Sequence, residues 1–402
     1  MVDTLERKEN NTQSSILTNS EIRQKYSNRV EINHRHNVAS DYTEKIQELD
    51  KSFNYSDNCP YYWGEPHLSL LYGTPLYEVA SPDQKLALNH LYWAAVYYLT
   101  AANEIAATLY NEVTASVLFP LGYETLCHEL DFETNQERHH IHAFHHIGNS
   151  TEMALLGQII LHDILRQVYK SNGILGRVPL RQLVHKFFAA HWSVSPFLAT
   201  QFFTMRYIAN ILLQNKESQY SKYYRDLERR GEFTPIPTAV SRYHLLDEAF
   251  HMTTSQFLSQ DLPKDFPPPS TYERTILNTQ VYLLQQNSLY GISGAIPGGF
   301  VGDKPGAMPM VYKLLQSPLF GMSSEETFDW MEKIFCHEHE GFHNTLRFHK
   351  RALADLRNAL EKDEYLWPVN REMRVMAAAG SIEKAIAANK KALKTFAASV
   401  SS

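Results

Sequence analysis

A chain of 402 residues is long enough to bury a full core, as one large domain or two. Its net charge of −6 is mixed along the chain, which leaves no basic face for nucleic acid or anionic lipid. Cys59, Cys127 and Cys336 are odd in number and far apart, which argues against a disulfide framework and a cysteine-based zinc site.

Residues 1–55 are polar, rich in Asn, Ser, Lys and Glu, and carry no hydrophobic secretory segment; they read as an N-terminal arm, a tail or a loosely packed one. Tyr61-Tyr62-Trp63-Gly64-Glu65-Pro66 is loop punctuation early in a single helical domain over 56–402. At Ser81-Pro82-Asp83-Gln84 the pattern turns helical, with serine as N-cap and proline at the first helical position, and it continues to about Leu118. Further helices are predicted at about 122–147, 150–171, 180–191, 196–216, 237–259, 270–288, 323–362 and 381–398. The Gly/Pro-rich stretch Tyr290–Pro309 reads as a long loop or lid. The longest apolar runs, such as Met153–Leu165, are interrupted by polar groups and fall short of a membrane span. Strand-like alternation is scarce. The reading is an all-α, cytoplasmic protein with neither nucleic acid nor membrane as a partner.

Of nineteen histidines, eleven gather at 139–146, 244–251 and 337–349. Two helical segments carry Glu-x-x-His: Glu137 with His140, and Glu248 with His251. The second is extended by His244 into His-x-x-x-Glu-x-x-His. Residues three and four apart share a helix face, so each copy presents a carboxylate and an imidazole together. Two such helices, joined by single glutamates from two more, can hold a pair of metal ions in a four-helix bundle over about 85–260.

Glu104 lies 33 residues before Glu137 among small apolar residues, where an unpaired carboxylate is costly to bury. The bland alternative is a glutamate paired with a buried cation or set on an exposed stripe. For Glu137 and His140 the alternative is a solvated face, because Glu133, Arg138 and His139 are also polar. Asp247 points away from the shared face and is a candidate acceptor for the distal N–H of a ligating imidazole. A third Glu-x-x-His, Glu340 to His343, has no acidic residue at suitable spacing upstream. Pro305-Gly306-Ala307-Met308-Pro309 stands there and cannot be a helix, so this copy reads as a surface face or a helix near the site.

Glu104, Glu137-x-x-His140 and His244-x-x-x-Glu248-x-x-His251, with the Asp247-Glu248 pair, resemble the ferritin-like p-aminobenzoate N-oxygenase family of non-haem di-iron enzymes. The resemblance covers about residues 85–260. It implies a ferritin-like bundle core with added flanking helices, and seven ligands: four carboxylates and three imidazoles. Six are Glu104, Glu137, His140, His244, Glu248 and His251. Two residues compete for the seventh. Glu217 has the right spacing, 31 residues before Glu248, in a polar run that looks like a helix end. Gln201 has the right apolar setting but is an amide, and reads equally as a satisfied core glutamine. If Gln201 holds the place, one anionic ligand is lost and chloride would fill the gap. That would suit the similar dimetal-carboxylate halogenases of the cylindrocyclophane type, which chlorinate unactivated carbons of fatty-acyl substrates.

The resemblance implies an oxidative enzyme of secondary metabolism that uses O2 and two irons, or manganese with iron. Its reaction would be C–H halogenation of a fatty-acyl-type substrate or N-oxygenation of an amine. With no flavin or nicotinamide fingerprint in the sequence, electrons would come from an external donor, such as a donor protein. The substrate would be a small molecule or a carrier-tethered acyl group, and a homodimer is compatible with the chain. Arg206 is either an anion or substrate contact or half of a buried ion pair. The contrasting reading is a ferritin-type metal-binding protein or ferroxidase with no organic substrate.

Overall fold

The computed structural model describes residues 19–162, 187, 190–287 and 307–400, and every regular element among them is helical. In chain order the main ones are α1 (Asn19–Ala39), α2 (Thr43–Ser52), α3 (Pro82–Leu118), α4 (Glu124–Leu156), α5 (Pro196–Arg230), α6 (Ile236–Gln256), α7 (Thr271–Asn287), α8 (Ala307–Gln316), α9 (Ser324–Cys336), α10 (Glu340–Leu360) and α11 (Ile382–Val400). The expected helical stretches 163–171 and 180–186, and most of the expected loop, 290–306, lie outside the described residues.

Two hairpins make the bundle. α3 packs along α4, α5 packs along α6, and α3 also meets α5. Local chemistry sets the ends of these helices. Ser81 and Gln84 form a reciprocal capping box at the start of α3, and Ser195 caps α5 ahead of Pro196. Gly157 and Gly231 adopt left-handed φ values of 67° and 66° just past α4 and α5, which L side chains avoid. α7 and α10 pack against α5, and α11 against α9.

Several boundaries differ from expectation. α4 runs unbroken through Gly148 because that glycine faces the Tyr98 ring, where any side chain would collide. α5 continues past residue 216 to Arg230. Its polar run is covered by α10, from which Asp355 accepts a hydrogen bond from Asn215 at 2.9 Å. The expected helix at 323–362 breaks at His337–His339, where extended backbone lets the Gly341 amide donate to the Gly73 carbonyl at 2.9 Å. α8 contains Pro309 after all. It sits in the first turn, where an amide has no helical partner to lose.

Within the expected N-terminal arm, residues 1–18 lie outside the described residues, and residues 28–52 are not loosely packed. α1 and α2 both lie across α4 and α6, and Asn37, Ile46 and Asp50 are buried there. Its low hydrophobicity has a physical reason: the bundle face it covers is itself polar. Asn33, His34 and Asn37 all bond the buried Glu129 carboxylate, at 3.2, 2.6 and 3.1 Å.

Buried apolar residues form two clusters. One takes in Leu88–Ala101 of α3 and Ala143–Leu156 of α4; the other takes in Leu118, Leu126–Leu130 and Phe197–Ile208. The polar layer lies between them along the bundle axis. The α3–α4 contact is tightest at Gly148, where a Cβ would stand 2.8 Å from the Tyr98 ring. Gly148→Ala should therefore be net destabilising by about 1 kcal/mol in urea unfolding, overpacking outweighing the better helix propensity. A stabilised variant would contradict this packing.

Candidate metal centre

One face of α4 carries Glu129, Glu133, Gln136, Glu137 and His140, spaced so that all point inward, and all are buried. α6 turns His244, Asp247, Glu248 and His251 into the same layer, also buried. α3 adds Glu104, and α5 adds Arg206 and Glu217. The layer thus holds seven buried carboxylates: Glu104, Glu129, Glu133, Glu137, Glu217, Asp247 and Glu248.

The six sequence-predicted site residues come together as two overlapping groups with metal-ligand spacing. One is Glu104, His140, His244 and Glu248; the other is Glu137, Glu248 and His251. Glu248 belongs to both. His244 places Nε2 2.9 Å from Glu104 Oε1 and 3.5 Å from Glu248 Oε1. His251 places Nδ1 2.8 Å from Glu248 Oε1 and 3.3 Å from Glu137 Oε1. His140 Nδ1 lies 3.7 Å from Glu137 Oε2.

Each imidazole is oriented through its other nitrogen. His140 Nε2 is bonded to Asp247 at 3.1 Å, the role expected of that aspartate. His251 Nε2 is bonded to the Gln136 side-chain carbonyl at 3.0 Å, and Gln136 in turn donates to Asn37 of α1 at 3.1 Å. His244 Nδ1 is bonded to Glu217 Oε1 at 2.6 Å.

That contact separates the two contenders for the remaining place. Glu217 touches the cluster through His244, whereas Gln201 is a satisfied core amide. Gln201 donates to the Ser259 carbonyl at 3.0 Å and accepts from Thr204 at 3.0 Å. The gap argued from an amide at residue 201 is therefore not in the cluster. Arg206 is an ion-pair residue: its guanidinium donates to Glu133 at 2.5 Å and to Glu137 Oε1 at 2.9 Å. The third Glu-x-x-His is a surface face, with Glu340 paired to Arg347 and His343 to Glu338.

Sequence reasoning missed Glu133 and Gln136. The signal was present in their spacing, four and seven residues after Glu129. The exposed neighbour Arg138, which pairs with Glu112 outside the bundle, made the face read as solvated.

The electrostatics follow from burial against charge. Burial pushes the Glu104 carboxyl up to about 7, with His244 pulling the other way. Burial alone would lower the histidines. For His140 the bond to Asp247 and the nearby Glu137 carboxylate outweigh it and raise the value to about 9. The carboxylates around His244 and His251 raise both well above the ordinary range. Protons thus supply part of the positive charge that the layer demands.

A metal pair fits these residues. Glu104 Oε2, Glu137 Oε2, Glu217 Oε2 and His140 Nδ1 are buried without a hydrogen-bond partner. Each such group costs about 1–3 kcal/mol, more when charged. All four are lone-pair donors, and carboxylate with imidazole suits iron or manganese.

Two measurements follow. Glu217→Ala should lower metal content, while Gln201→Ala should leave it unchanged and cost about 1–3 kcal/mol of stability through the stranded Ser259 carbonyl. The reverse pattern would move the site to Gln201. The His140 pKa, raised from 6.5 to about 9, gives a pH dependence. Its contribution to metal-free stability is full below pH 6.5 and is lost as pH rises toward 9. Melting of metal-free protein should drop across that window and metal loading should flatten the slope, since metals and protons compete for the same lone pairs. A slope that metal leaves unchanged would separate His140 from the centre.

The acyl halogenase CylC-like family model matches residues 25–172 and 165–397. No curated protein and no solved structure matches the chain. No described helix is long and apolar enough to cross a membrane. With nearly the whole chain covered by that model, the protein belongs to the CylC-like acyl halogenase family.

Proposed function

We propose that this chain is an O2-dependent dimetal halogenase that installs chloride on a carbon of an acyl substrate, free or carrier-tethered, within secondary metabolism. The observation that carries the metal part is the set of buried, unpartnered donor atoms from three helices, converging with the ligand groups that α6 completes. The family match supports the acyl halogenase part.

Glu104, His140, His244 and Glu248 would hold one ion, and Glu137, Glu248 and His251 the other, whether iron with iron or manganese with iron. Such a pair supplies the redox capacity to activate O2, with electrons from an external donor protein. The chain's own residues do the rest. Asp247, Glu217 and Gln136 fix the three rings, so that the layer is organised before any ion arrives. The apolar clusters above and below exclude bulk water from the polar layer.

The test is direct. Anaerobic iron loading should give about two ions per chain. Adding O2, a chemical reductant, chloride and a carrier-tethered fatty-acyl substrate should then yield a chlorinated product by mass spectrometry. Oxygenated product alone at high chloride would replace halogenation with an oxygenase activity, and an amine substrate would then be tried. Iron oxidation without any organic product would favour the ferroxidase reading.

A further inference from the structure

We propose that the two metal subsites are unequal by construction and that Arg206 is the positioning residue that makes them so. Glu104, His140, His244 and Glu248 form the tight subsite, which fills first; Glu137, Glu248 and His251 form the weak one. The inference rests on the dimetal reading above.

Three observations point the same way. The first is donor number: four side chains against three, with Glu248 common to both. The second is what backs each imidazole. His140 and His244 are bonded to the carboxylates of Asp247 and Glu217, which makes a ring a stronger donor. His251 is backed only by the neutral amide of Gln136.

The third is charge. The Arg206 guanidinium bonds Glu137 Oε1 at 2.9 Å, an oxygen that lies 3.3 Å from His251 Nδ1. An oxygen already bonded to a cation is a poorer ligand, and the cation repels an arriving dication. Glu133, on the other arm of the guanidinium, offsets part of that charge but gives Glu137 nothing in return. Arg206 thus occupies the Glu137 oxygen that faces His251, and Oε2, 3.7 Å from His140 Nδ1, is the oxygen left without a hydrogen-bond partner. Among the described residues no arginine or lysine bonds the ligands of the other subsite.

Manganese(II) titrated into the metal-free full chain, with unbound ion followed by its electron paramagnetic resonance signal, tests this without turnover. The wild type should bind two ions whose affinities differ by about tenfold or more, the scale of an outer contact on a metal ligand. His251→Ala should remove the weak class and Glu104→Gln the tight one. Arg206→Lys keeps the charge and should keep most of the gap. Arg206→Met combined with Glu133→Gln, which neutralises Glu133 along with its partner and leaves Glu137 its contact with His251 at 3.3 Å, should narrow the gap about tenfold. Two ions of equal affinity in the wild type would overturn the inference and leave the dimetal reading standing. So would an unchanged gap in the double variant, or loss of the weak class in Glu104→Gln. Binding of no ion at all would instead sink the dimetal reading itself. Should the double variant not fold, the wild-type gap and the two ligand variants still decide.

Discussion

Seven carboxylates buried in one layer of a helical bundle is the constraint from which the rest of the molecule follows. Their mutual repulsion and lost hydration would each cost several kcal/mol without compensation. The chain compensates only in part, with the Arg206 guanidinium, raised imidazole basicity and a few amides. Glu104, held near neutral pH by burial, and the unpartnered oxygens beside it are the residue of an account that the protein alone does not close. Under the proposed function, positive charge from outside closes it.

The same constraint explains the outer helices. A bundle whose interior is this polar cannot be sealed by an apolar cap at that level, so α1 meets it with Asn33, His34 and Asn37. Asn37 reaches Gln136, and Gln136 holds His251. A chain of hydrogen bonds therefore runs from the N-terminal helix to a candidate ligand. α10 does the equivalent for α5, covering the polar run that surrounds Glu217. These flanking helices position the layer as well as enclosing it.

Much of this was legible in the sequence because ligand spacing is a local property. Glu137, His140, His244, Glu248 and His251 could be grouped from helical period alone, and Ser81-Pro82 marked the start of α3. What resisted reading was set by distant partners. Residues 214–219 look like a helix end until α10 covers them, and residues 28–52 look like an arm until the polar face beneath is known. Gln201 drew attention for its apolar setting, yet an apolar setting is also where an amide must find its own partners. It finds them in Ser259 and Thr204. Period identifies which residues share a face; whether that face meets water or another helix depends on tertiary contacts that the period does not encode.

The position of Gln201 changes the argument about the halide. Gln201 is spent on Ser259 and Thr204, and Glu217 stands behind His244, so an amide-for-carboxylate exchange at residue 201 does not supply a place for an anion. Nor is Arg206 free to attract one, because both arms of its guanidinium end on carboxylates. A chloride approaching the layer without metals would meet Glu104, Glu137, Glu217 and Glu248, which Arg206 and the imidazoles offset only in part, and net repulsion in a weakly screened interior would disfavour it. Two dications would reverse that sign. Under the proposed function, halide affinity is then a property of the loaded centre rather than of a preformed protein pocket, and metal must enter before chloride.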